Sequence, residues 1–362
     1  MSEQALAGLR VLDVSQRVAG PFCTKLLAGL GAEVIKVEPP QGGDQARREG
    51  PFFRDQPGTE TSGLFLFLNT GKKSLTLDLT KPEGKRVFRQ LAGAVDVVVE
   101  SFKPGTLEDL ALGYGTLSSM NPGLVLTSIT PFGQTGPYAG FAATHLTLDA
   151  MAGQTYLRGD LDREPLYPGG AIGEYPGGLC GFVGTLTALA ERDFSGLGQQ
   201  VDVSILDVLL NYNEYFLLFY PWQGMVPNRR FWPSNSFRFL PCRDGYELVA
   251  TILGRFDDLR WFVDRPELQD EKFNTIAGRA EHSKELDAIL QSWLMEHDKR
   301  ELFESAQQCR LPFGYVATAE DLLSDPQHIA RGFFIEVEHP VVGRVKYPGA
   351  PCRLSETAWR PA

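Results

Sequence analysis

Two strand–helix–strand patterns follow one another near the start of the chain, and they restrict its fold more than any other feature. Leu9 to Val14 is a short apolar run. It is followed by a Gly20-Pro21 break, a helical pattern from Cys23 to Leu30, and a second apolar run, Ala32 to Glu38, that stops at Pro39-Pro40. The pattern then repeats. Lys73 to Leu79 alternates as a strand, Pro82 to Leu91 reads as a helix opening on a favourable proline, and Val95 to Glu100 reads as a buried strand, with a further strand at Leu124 to Ile129. Strands joined through helices in this way belong side by side and parallel, because a parallel pair needs a long crossover. The first half therefore predicts a Rossmann-like α/β domain.

Glycine is dense from Tyr138 to Leu197, where a helix is expected over Gly178 to Arg192. Small residues there let the backbone approach a neighbour or a ligand closely. The most apolar region, Tyr212 to Trp222, contains Asn213 and Glu214 and ends at Pro221, which fits a buried or interface helix better than a membrane span. Pro221 to Pro241 reads as a linker. The expected organisation is a large domain over 1–220, a linker over 221–242, a small α+β domain over 243–320 that starts with a strand at Tyr246 to Ile252, and a C-terminal segment, 321–362, returning to the large domain.

Composition narrows the function. With 362 residues, 43% hydrophobic and 22% charged, the chain can bury a sizeable core. A net charge of -10 with dispersed cations argues against nucleic acid as a partner, and an anionic ligand must be met locally. The N-terminus lacks a secretory pattern and no window suits a membrane span. Five separated cysteines without metal-site spacing read as reduced thiols in a cytoplasmic protein, and no metal is expected.

Seven blocks then occur in a recognisable order. They are Leu9 to Ser15 with Ala19-Gly20-Pro21, Gly31 to Glu38, Asn69 to Leu79, Asp96 to Gly105, Gly133 to Tyr138, Gly196 to Ser204, and Leu322 to Gln327 with Arg331-Gly332-Phe333. Together they resemble the class III coenzyme A transferases, a family that also contains α-methylacyl-CoA racemases. The resemblance implies a Rossmann-like domain completed by the C-terminal segment, a small domain inserted late, and a homodimer of two chains interlocked as rings. Its substrates are an acyl-CoA and a carboxylic acid.

The resemblance also implies site residues. Family transferases use an aspartate nucleophile, and its position falls on Glu174 in Gly169 to Gly178. A carboxylate can pass an acyl group through an anhydride and hold CoA as an enzyme thioester. The same residue also suits a plain helix-capping role. CoA contacts fall on Arg17 and Val18, on Leu77, Asp78 and Leu79, and on Ser101, Phe102 and Lys103. Two cationic family positions are Pro39 and Asp109 here, which leaves Lys36, Lys72 or Lys103 for the phosphates. The racemase histidine falls on Thr144, beside His145, which has the right chemistry for proton transfer; the racemase glutamate falls near Leu253. The linker carries the single glycine Gly224 in place of a mobile glycine-rich loop, so an acyl group other than formyl or oxalyl is expected. The Trp/Arg cluster from Trp222 to Phe239 suits a cover for the acyl pocket or a dimer interface. A racemase, or a CoA-binding protein without turnover, is the alternative to a transferase.

Overall fold

A computed structural model describes residues 4–159, 162–229, 237–250 and 255–359. The chain divides into two compact units, one of Met1–Arg158, Pro165–Val226 and Gly332–Ala362, the other of Gly159–Glu164 and Pro227–Arg331.

The first unit is built on six parallel strands: β1 (Arg10–Asp13), β2 (Glu33–Glu38), β3 (Lys73–Thr76), β4 (Val97–Glu100), β5 (Val125–Thr130) and β6 (Gln200–Ser204), in the order β3-β2-β1-β4-β5-β6. β4 and β5 are buried along their whole length, which is why their sequences are nearly continuous runs of apolar and small polar residues. Successive side chains alternate between two cores. Val11, Val97, Val99 and Ile129 join the helices Ala19–Gly29 and Glu174–Ser195 on one face, whereas Leu12, Val98 and Leu126 meet Phe88 of the helix Pro82–Ala92 on the other.

Several boundaries differ from those predicted; the first helix begins at Ala19 rather than Cys23, so Gly20-Pro21 sits in its first turn instead of forming a break. The third strand stops at Thr76 rather than Leu79, because it is a largely exposed edge. The glycine-rich helix begins at Glu174, four residues before Gly178.

The glycines explain how that helix packs. A Cβ on Gly178 would lie 2.4 Å from the Ala19 carbonyl oxygen, one on Gly181 2.4 Å from Ile129 Cδ1, and one on Gly177 2.9 Å from Ile205 Cγ1. None of these contacts leaves room for a side chain.

The second unit has an antiparallel sheet, β7 (Phe237–Cys242), β8 (Gly245–Ala250) and β9 (Gly314–Tyr315). Its core contains Leu240, Val249, Leu259, Phe273, Leu286 and Leu290. β7 occupies residues that read as linker, since its alternating Arg238, Leu240 and Cys242 face inward. The strand expected over Tyr246 to Ile252 is seen to Ala250; Leu253, and residues 230–236 of the Trp/Arg cluster, lie outside the described residues. The chain returns to the first unit at Gly332, and β10 (Phe334–His339) pairs with β11 (Gly343–Pro348), where Tyr347 packs with Phe65.

The apolar helix Glu214–Gln223 is not buried within the chain: Trp222 is 80% and Tyr220 66% exposed. Among the described residues no helix is long and apolar enough to cross a membrane.

Candidate active site

In a sheet of this order the strand sequence reverses between β1 and β4, and the crevice beyond their carboxyl ends is where such sheets bind ligands. The loop leaving β1 is fixed at each residue. Ser15 N–H donates to Asp13 Oδ1 at 3.0 Å, Gln16 N–H to Ser101 Oγ at 2.9 Å, and Arg17 N–H to Asp44 Oδ1 at 3.0 Å. The Ser101 bond ties the β1 loop to the β4 loop across the crevice. Arg17 has φ +66°, a left-handed conformation costing a residue with a Cβ roughly 1 kcal/mol.

A buried ion cluster holds this loop from below. Lys36 Nζ lies 2.7 Å from Asp44 Oδ2 and also donates to the Ser15 carbonyl, while Lys72 Nζ lies 3.0 Å from Asp13 Oδ2. Burial works to raise the Asp13 carboxyl, but Lys36, Lys72, Ser15 and Thr24 together hold it well below the usual carboxylate range. Burial lowers Lys72 to about 8.

Glu174 enters the crevice from the opposite side. The glycine contacts bring the start of its helix against Ala19, whose backbone acts to lower the Glu174 carboxyl. Burial raises Glu174 above its ordinary value, against the opposing charges of Arg17 and His145, and Glu49 adds to the rise. Arg17, His145 and Glu174 line one pocket of about 310 Å³, whose apolar wall includes Phe102, Ile129, Leu148 and Ile205. Ser101 and Lys103 line it as well.

Two further carboxyls support the pocket. Asp149 follows His145 by one helical turn, is 3% exposed, and its Oδ2 has no hydrogen-bond partner among the described residues; burial raises it. Glu100, at the end of β4, accepts from Phe102 N–H at 2.6 Å, and burial pushes it up to about 7.

The predicted residues thus divide. Arg17, Ser101, Phe102, Lys103, His145 and Glu174 come together. Val18, Leu77, Asp78 and Leu79 do not line this pocket: Val18 is 1% exposed beneath the loop, and the others form the turn after the edge strand β3, where Asp78 accepts from Thr80. Lys36 and Lys72 have their ammonium groups in the internal cluster, where the buried carboxylates hold them, rather than at the surface as phosphate ligands. Thr144, the position of the racemase histidine, also lines the pocket, as do Gln16 and Gln45, which were not anticipated. Gln16 had a signal in its position beside Arg17; Asp44 and Asp149 had none beyond helical and turn spacing.

A sequence model described as CoA-transferase family III matches residues 6–362. A succinyl-CoA–D-citramalate CoA-transferase of Chloroflexus aurantiacus is 37% identical, over 97% of this chain and 88% of its own length. The succinate–glutarate CoA-transferase of Agrobacterium fabrum is 34% identical over 92% and 85%. Among solved structures, a CaiB/BaiF family protein from Brucella suis superposes with TM-score 0.89 at 31% identity, covering 99% of this chain and 95% of that one. A hypothetical protein from Mycobacterium tuberculosis gives 0.82 at 28%, covering 99% and 96%.

Proposed function

Since the chain belongs to CoA-transferase family III, and is thus an enzyme moving CoA between an acyl-CoA and a carboxylic acid, we propose that Glu174 is its nucleophile and that succinyl-CoA is its donor. The observation that carries this is the placement of Glu174, at a helix start, in the crevice beyond β1 and β4 and in one pocket with Arg17 and His145.

The ionised carboxylate attacks the thioester carbonyl, the C–S bond breaks, and CoA leaves as thiolate from a mixed anhydride. The thiolate then attacks the glutamyl carbonyl, which releases the donor acid and leaves an enzyme-CoA thioester. The acceptor carboxylate reverses both steps, so atoms balance without an external proton. Succinyl-CoA as donor and a second dicarboxylic acid as acceptor follow the names of the relatives. Ser101, Phe102 and Lys103 suit the pantetheine arm of CoA.

Two copies form the working enzyme in this reading, as interlocked rings. The support is the apolar surface left bare on a single chain, including Val183 at 54% exposure and Trp222. Unpaired cysteines fit a cytoplasmic location.

His145 beside Glu174 is also the pairing that α-proton transfer would use. Steady-state kinetics with succinyl-CoA and glutarate separate the two. Parallel double-reciprocal lines, with activity lost in Glu174→Gln, support transfer through a covalent enzyme. Exchange of the acyl α-hydrogen with deuterated water, without net CoA transfer, would replace it with the racemase reading.

A further inference from the structure

The pocket holds a cation that attack on a thioester does not require. Arg17 stands in a left-handed conformation that its side chain disfavours, and a buried carboxylate, Asp44, itself paired with buried Lys36, keeps it there. Its guanidinium is also incompletely matched. Glu49 Oε1 lies 3.3 Å from Nε, near enough for attraction, yet Nε is buried and makes no hydrogen bond among the described residues. His145 Nδ1, in the same pocket, is likewise buried without a partner among the described residues. Much of the remaining wall is apolar.

Such a site is poorly suited to an acyl chain ending in a methyl group, which would leave the donors unpaired. It suits a chain that carries a second carboxylate. The phosphates of CoA are not the natural partner, because the pantetheine arm separates them from the sulfur, whereas Arg17 lines the same pocket as the attacking Glu174. Planar guanidinium and carboxylate match in two parallel hydrogen bonds.

We propose that Arg17 is the specificity-determining residue, receiving the free carboxylate of a dicarboxylic acyl group while Glu174 attacks the thioester at its other end. This rests on Glu174 being the nucleophile in a CoA-transferase. Asp44 and Lys36 are positioning residues in this account, acting through the Arg17 backbone.

Succinyl-CoA and butyryl-CoA have acyl chains of equal length and differ in a terminal carboxylate against a methyl group. Each is presented to the full-length enzyme, and kcat/KM for the first half-reaction is measured as release of the acid. The wild type is expected to favour succinyl-CoA by about 30- to 100-fold, the range for a site left with unpaired polar groups. Arg17→Gln is expected to remove most of that preference, lowering the succinyl-CoA value by at least about tenfold more than the butyryl-CoA value. Arg17→Lys, which keeps the charge but not the fork, is expected to fall between.

A wild type without preference for succinyl-CoA overturns the proposal whatever the variants do. So does an equal loss on both substrates in Arg17→Gln, which would assign Arg17 to CoA or to the loop, and so does no loss on either. Failure of the wild type to release acid from any acyl-CoA would instead count against the transferase reading itself.

Discussion

A methyl group added at Gly178 should damage the reaction far more than the fold. Its Cβ would lie 2.4 Å from the Ala19 carbonyl oxygen and 3.2 Å from Phe22 Cβ. Ordinary contact begins near 3.4 Å, so the helix must retreat by about 1 Å from backbone that cannot rotate away. Overpacking of this kind costs roughly 1–3 kcal/mol, and the gain in helix propensity from Gly to Ala returns about 1 kcal/mol. Gly178→Ala should thus lose at most about 2 kcal/mol and remain folded. Glu174 begins the same helix and lines the pocket together with the same Ala19. A displacement of about 1 Å there corresponds to roughly a hundredfold in rate. The matched control is Gly184→Ala on the same helix, where the new methyl meets only Val201 Cγ1, at 2.8 Å, and far from the pocket. Urea unfolding and steady-state transfer on both variants test the reasoning. If Gly178→Ala keeps wild-type kcat, or if Gly184→Ala loses as much, the glycine contacts do not position the nucleophile.

Three other outcomes are expected. Because burial raises Glu174 and only its ionised form attacks, the acid limb of kcat/KM should have its midpoint above the ordinary glutamate value of 4.5; a midpoint at or below it contradicts the assignment. Glu100 binds its proton more tightly folded than unfolded, so the stability it contributes is full below pH 4.5 and lost as pH rises to about 7, a change of about 3 kcal/mol. The unfolding free energy of Glu100→Gln relative to wild type should therefore climb across that window, and a difference independent of pH would refute it. Glu247, fully buried in the second unit with both oxygens unpartnered among the described residues, is pushed by burial up to about 8; Glu247→Leu should stabilise the chain by about 1–3 kcal/mol above that pH in urea unfolding, and a loss of stability would show that the carboxylate has a partner.

The parallel sheet was legible because its strands carry their environment openly: Val97-Val98-Val99 can only be a strand covered on both faces, and each crossover helix is delimited by proline or glycine. Glu174, His145 and Arg17 were legible from the order of the motifs and their chemistry. What remained hidden depends on tertiary pairing. Lys36 and Lys72 have the composition of surface cations, and only the three-dimensional placement of Asp13 and Asp44 takes them inside. Nothing local marks Phe237–Cys242 as a strand, since its alternation is interrupted by Pro241 and its face is defined by the helices that cover it. Nor does spacing reveal that Gly178 faces a carbonyl while Gly169 faces open space.

The direct test of the central claim is chemical capture of the nucleophile. Enzyme mixed with succinyl-CoA and quenched with hydroxylamine should yield, on peptide mass spectrometry, a hydroxamate on Glu174 and on no other carboxylate, dependent on the thioester. An unmodified Glu174 in enzyme that is turning over, or a hydroxamate on another residue such as Asp149, would contradict the account.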